Sequence, residues 1–246
     1  MKIRLLFLLV LSVLISSCQF TETMVMELDG SGTMSMELDL SEMMSMGAMS
    51  EVETAEEKVD TLIYMKDFLE EKKDSISKLP KADQEKLKKL EKYKVHINMD
   101  SKEEVMKYNI SVDFKNASEA NDIINAMKQV ENIGPSSSSD NVDDKKEETP
   151  DIIGVRYSFE NNTFKRDAFI KDVKLHKQQV DSLKQTEAFF TGSIYTLNYT
   201  FPRKIKNSSN PKAVFSNDKK TIVIKTPFLD YFKDPDVLDL MVELED

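Results

Sequence analysis

The sequence predicts an α+β domain: a curved, mainly antiparallel sheet of about seven to eight strands, with about three to four helices packed on one face. Two observations carry this expectation. Apolar side chains alternate with period two along many short segments, so each strand has one buried and one wet face. Between them lie a few stretches with helical spacing, each with a single apolar stripe. A third observation narrows the class: with 6 Gly, no Trp and one Cys, the chain fits neither a propeller nor a disulfide scaffold, so packing alone must hold the fold.

The first element is a leader. Lys2 and Arg4 precede an apolar run from Leu5 to Ile15 broken only by Ser12, too short to span a bilayer and built like an export signal. It ends in Val13-Leu14-Ile15-Ser16-Ser17-Cys18, which resembles the lipobox of bacterial lipoproteins, with Ile15 where that family prefers Leu. The resemblance implies a signal peptide at 1–17, removal before Cys18, and acylation of Cys18 with palmitate-type chains. A lone cysteine in an exported chain agrees with this, since it has no disulfide partner. Several acyl chains on one residue are enough for stable membrane residence. Residue 19 is Gln rather than Asp, so the inner-membrane retention signal of Gram-negative lipoproteins is missing, and the expectation is the outer membrane. Residues 18–22 read as the lipidated N-terminus and a short tether.

Beyond the tether, Met24, Met26 and Leu28 alternate up to Asp29-Gly30-Ser31-Gly32, and Met34, Met36, Leu38 and Leu40 follow, which predicts a hairpin. Glu53 to Lys78 carries Val59, Leu62, Ile63, Met65 and Leu69 near one helical face and is ended by Pro80. A charged helix is expected from Lys81 to Tyr93. Val95, Ile97 and Met99 predict a strand, as do Met106, Tyr108, Ile110, Val112 and Phe114. Ala120, Ile123, Ile124, Met127 and Val130 have helical spacing behind an Asn116 or Ser118 cap. Strands are expected again at Ile153 to Phe159, Tyr195 to Phe201, Ile222 to Lys225 and Leu238 to Leu244, with a helix from Lys171 to Phe189.

The stretch 134–150, GPSSSSDNVDDKKEETP, has no apolar period and reads as a disordered loop. One α+β domain at 23–246 is the expectation, with subdomains 23–133 and 151–246 as the alternative. The formal charge is −10, and becomes −12 once Lys2 and Arg4 leave with the leader, which makes nucleic acid a poor partner.

No Gly-rich phosphate loop, nucleophile elbow or zinc-helix motif occurs, so neither an enzyme nor a cofactor is expected. His96 falls on the polar side of a strand and His176 on a helix, with no second His or Cys at metal spacing. The distinctive feature is methionine: Met24, Met26, Met34, Met36, Met43, Met44, Met46 and Met49 crowd one short stretch of a chain with 14. Thioethers suit Cu(I), which makes copper handling the alternative function. Met24, Met26, Met34 and Met36 share the alternation of a core face, where methionine is an adaptable filler, and they are also the candidate residues for binding a lipid or peptide.

The Met-rich hairpin, the helical middle and the closing Tyr199-Thr200-Phe201-Pro202 and Ile222-Val223-Ile224 resemble uncharacterised bacterial lipoproteins of the LppM type. That resemblance implies a sheet-and-helix domain near the membrane. The function expected is an envelope lipoprotein, membrane-bound through acylated Cys18, that binds or scaffolds a lipid or an envelope protein.

Overall fold

The computed structural model describes residues 18–45, 58–121, 123, 126, 152–184 and 187–246. The leader at 1–17, the stretch 134–150, Met46 and Met49 lie outside the described residues. The hairpin predicted from Asp29-Gly30 is present as β1 (Gln19–Met26) and β2 (Gly32–Asp39), with Met24 opposite Met34 and Met26 opposite Gly32. Gly30 supplies the left-handed turn residue at φ 84°, and Asp29 accepts from the Ser31 amide at 3.0 Å and hydroxyl at 2.6 Å. Two of the expected details change. Leu28 leaves the strand and is 70 % exposed, because the turn begins at Glu27, whose amide donates to the Ser31 carbonyl at 2.8 Å. Residues 19–22 are no tether: they are the first half of β1, paired on both sides.

After α1 (Ser41–Ser45) the helix expected over 53–78 is replaced by a strand, β3 (Lys58–Tyr64), followed by α2 (Met65–Glu71) and α3 (Lys73–Ile76). Pairing with the next strand overrides the helical spacing there, and Val59, Thr61 and Ile63 have the branching that suits a pleated edge. The charged helix α4 (Lys81–Lys88) is shorter than expected, since Tyr93 opens β4 (Tyr93–Asp100), which pairs with β5 (Val105–Phe114). A 3-10 turn at Ala117–Ala120 follows, and Ile123 and Ala126 beyond it are buried.

The second half opens with a hairpin, β6 (Ile153–Glu160) and β7 (Thr163–Ile170), turned by Asn161 and Asn162 at φ 51° and 58°. Next come α5 (Val173–Leu183), capped by Asp172 on the Leu175 amide at 2.9 Å, and α6 (Glu187–Phe190). The chain closes through β8 (Ile194–Thr200), β9 (Ile205–Ser208), β10 (Val214–Phe215), β11 (Thr221–Pro227), α7 (Phe228–Lys233), a 3-10 turn at Pro235–Leu238, and β12 (Leu240–Leu244).

The α+β class stands, with a mixed eight-stranded sheet in the order β10-β11-β8-β1-β2-β5-β4-β3 and a second sheet in the order β6-β7-β12-β9. The parallel pair β1·β8 joins the two halves of the chain into one sheet. Helices alone were expected to cover the inner face, but they share the task. The second sheet packs over the β1 and β8 region, bringing Phe164 edge-on to Tyr199 at 5.5 Å, while Met65 and Leu69 of α2 reach the same core from the β3–β4 side.

Gly32 sits where a Cβ would run into the Val25 carbonyl oxygen and approach Phe114 Cζ to 2.7 Å. Gly32→Ala should therefore lower stability by about 1–3 kcal/mol through overpacking. Gly30→Ala would place its Cβ at an ordinary contact distance of 3.6 Å from Phe159 Cδ1, so its positive φ is the main penalty, and it should cost about 1 kcal/mol. Urea denaturation midpoints of the two variants check the order.

Candidate functional site

Cys18, Phe20, Glu22, Met24 and Met26 follow one another along the inner side of β1, and the site is built on this line. Cys18 stands at the end of the sandwich, just before β1, and is 3 % exposed. Its Sγ donates to Met43 Sδ of α1 at 3.0 Å. Burial pushes the thiol above its ordinary value, the Ser193 hydroxyl works against this, and Glu42 and Asp39 add to the rise.

Two residues on, Phe20 stacks on Phe228 at 4.4 Å and lies near-parallel to Tyr195 at 6.2 Å. Phe228 in turn meets Phe190 at 5.4 Å and Phe232 at 6.0 Å. These rings close the end of the core and remain partly exposed.

Deeper lies an ion pair cut off from water. Glu22 of β1 is 0 % exposed and Arg166 of β7 is 1 % exposed. Arg166 holds the carboxylate with Nε at 3.2 Å from Oε1 and Nη2 at 3.1 Å from Oε2, a two-pronged pairing, and its Nη1 donates to the Leu238 carbonyl at 3.1 Å. Three phenols add donors: Tyr157 to Oε1 at 2.7 Å, Tyr195 to Oε2 at 2.8 Å, and Tyr199 to Oε1. Burial by itself would raise the Glu22 pKa, but the Arg166 charge and the donated hydrogen bonds outweigh it and hold the carboxyl below its ordinary 4.5. Burial and the nearby Glu22 charge keep the three tyrosines neutral, far above their ordinary 10.0. A carboxylate so saturated with donors is no proton acceptor near neutrality. What the arrangement does is fasten one sheet to the other.

The four strand methionines proposed for ligand binding are core: Met24 is 1 % exposed, Met26 2 %, Met34 0 % and Met36 3 %. All four belong to the hydrophobic core. Met36 touches the polar cluster, where Tyr195 Oη lies 3.8 Å from its sulfur. Both histidines are occupied elsewhere, His96 with Asp60 at 2.7 Å on the surface and His176 with the Phe232 carbonyl at 2.7 Å. Among the described residues no group of three His, Cys, Asp or Glu side chains is placed to hold a metal ion. An open cleft of about 430 Å³ at Asn210, Lys212, Asp236 and Asp239 borders none of the singled-out residues. Its amide and ammonium are engaged internally, Asn210 with the Val237 carbonyl at 3.2 Å and Lys212 with Thr226 at 3.3 Å.

The sequence reading missed Glu22, Arg166 and the tyrosine hydroxyls. One signal was available: Tyr195 and Tyr199 lie on an inward-facing period, and a buried phenol calls for a hydrogen-bond partner.

The fold and site thus define a two-sheet α+β sandwich held by an internal ion pair and closed by aromatic rings beside a buried cysteine. No family model and no curated protein matches the chain. Among solved structures it is similar to the NMR structure of the folded domain of the Mycobacterium tuberculosis LppM protein, with 7 % identity and a TM-score of 0.41, over 93 % of this chain and 91 % of that one. No described helix is long and apolar enough to cross a membrane.

Glu22→Gln leaves Arg166 buried without its counter-charge and should cost about 3–5 kcal/mol. The double change Glu22→Leu with Arg166→Met should cost less than the sum of the single changes, though the phenols then lose their acceptor. The pH dependence has a definite sign: because folding lowers the Glu22 pKa below 4.5, its contribution is present above that value and fades as pH falls through the folded pKa. Urea titrations from pH 7 to about 3 should show this loss in the parent protein and a shallower slope in the Glu22→Gln variant.

Proposed function

We infer that the chain is an envelope lipoprotein, acylated at Cys18, whose domain works as a non-enzymatic binding or scaffolding module at the membrane surface. The observation that carries this reading is where Cys18 stands: the lipobox-like residues end on it, and the first strand begins with the very next residue, Gln19. An anchor placed there keeps the domain against the bilayer, since no spacer intervenes. Gln19 in place of Asp favours the outer membrane.

The choice between a lipid and an envelope protein turns on the interior. The strand methionines are packed against the second sheet, which supports contact through the surface over a lipid held inside the sandwich. The outward face of the larger sheet offers a broad polar surface for a protein partner, with Thr21, Thr23, Ser35, Asn109, Ser111 and Asn198 distributed over its central strands.

Cys18→Ala tests the anchor. The parent chain, grown with a labelled fatty acid, should carry the label and sediment with membranes. The variant should lose the label and either remain as precursor or leave the membrane fraction. Label persisting on the variant sinks the assignment.

A further inference from the structure

We propose that the aromatic end of the sandwich, formed by Phe20, Phe190, Phe228 and Phe232, is seated in the surface of the same bilayer that holds the Cys18 anchor. The proposal rests on the lipoprotein reading above and adds an orientation to it: this end of the domain faces the lipid, and the β10 end faces away.

Three features of the molecule lead to it. The first is distance. Phe20 is two residues from Cys18, and an extended chain covers at most ~3.5 Å per residue, so the ring lies within about 10 Å of the anchoring point. The strand between them cannot lift away, because Gln19 and Phe20 are paired with Asp39 and Leu38 on one side and with Ile194 and Tyr195 on the other.

The second is chemistry. Phe20, Phe190, Phe228 and Phe232 stack in a continuous group with centroid spacings of 4.4, 5.4 and 6.0 Å around Phe228, and each remains partly exposed. The adjoining helix α5, docked through the His176 contact to the Phe232 carbonyl, leaves Val173 72 % and Leu175 36 % exposed. Partly exposed apolar rings at one end of the domain are what an interfacial contact needs, and such faces sink about 5–10 Å into the headgroup and acyl boundary.

The third is charge. The chain is acidic overall, but the charge beside the rings is mixed: Glu187 of α6 pairs with Lys233 of α7 at 3.0 Å, while Asp230 of α7 is exposed. Lys225, near the end of β11 that leads into α7, adds an exposed cation.

The chain has no tryptophan, so a single Phe→Trp substitution is a reporter without background. Full-length protein carrying Phe228→Trp or Phe232→Trp would be reconstituted in vesicles of phosphatidylethanolamine and phosphatidylglycerol, with and without brominated phosphatidylcholine. Phe215→Trp, on β10, is the control, since Phe215 pairs with Ile222 at the other end of the sheet. Urea denaturation of each variant establishes that it is folded. The expected result is blue-shifted emission quenched by the brominated lipid at positions 228 and 232, and little quenching at 215. Absence of quenching at both ring positions overturns the proposal, because the rings then meet a protein partner or only close the core. Equal quenching at 215 also overturns it, since adsorption is then unoriented. The mass of the same preparation separates the two failures. An acylated Cys18 with unquenched rings removes the seating alone, whereas an unacylated Cys18 removes the anchor and the seating with it.

Discussion

The structure turns on one buried ion pair. Glu22 and Arg166 come from different sheets and from different halves of the chain, and neither is accessible to water. Taking both charges out of water costs several kcal/mol per ion, which their attraction offsets only when the remaining hydrogen-bonding capacity is filled. Here it is filled: two arginine nitrogens and three phenols serve the carboxylate, and the third arginine nitrogen serves the Leu238 carbonyl. That demand fixes the register of β1. A slip of one residue would turn Glu22 to the outer face and leave Arg166 and three hydroxyls without their acceptor.

Fixing β1 has consequences at both of its ends. Toward the hairpin, it sets the strand methionines against the second sheet, where flexible thioether side chains fill an irregular space between two twisted surfaces. Toward Cys18, it leaves no slack between that cysteine and the folded domain. The strand that carries the acid of the internal ion pair thus begins directly after Cys18, with Phe20 between them. β1 lies in the interior of the larger sheet, paired on both sides.

The legible parts of the fold were those in which neighbours in sequence share one environment. The β1–β2 hairpin, β4, β5, β6, β8 and the strand character of the C-terminal segment follow from alternation, and α5 follows from its stripe. β7 was overlooked because its inward positions are Phe164, Arg166 and Ala168, so the charge at the centre of the site interrupts the apolar alternation. Glu22 had the same effect on β1, whose first half looked like a tether because its second inward position is an acid. β3 was misread for a different reason: at the edge of the sheet, with Leu62 51 % and Tyr64 50 % exposed, its side chains do not sort into clear inner and outer sets.

By itself the sequence determined the α+β class, most strands, the hairpin at Asp29-Gly30 and the lipobox-like run that ends on Cys18. Each is a local pattern, set by the period of the backbone or by the chemistry of consecutive residues. Only the tertiary structure decided that the sheet has a second sheet over it and that an acid and a base belong inside. An inward-facing charge has no local signature, because what makes it tolerable is a partner elsewhere in the chain, here 144 residues away.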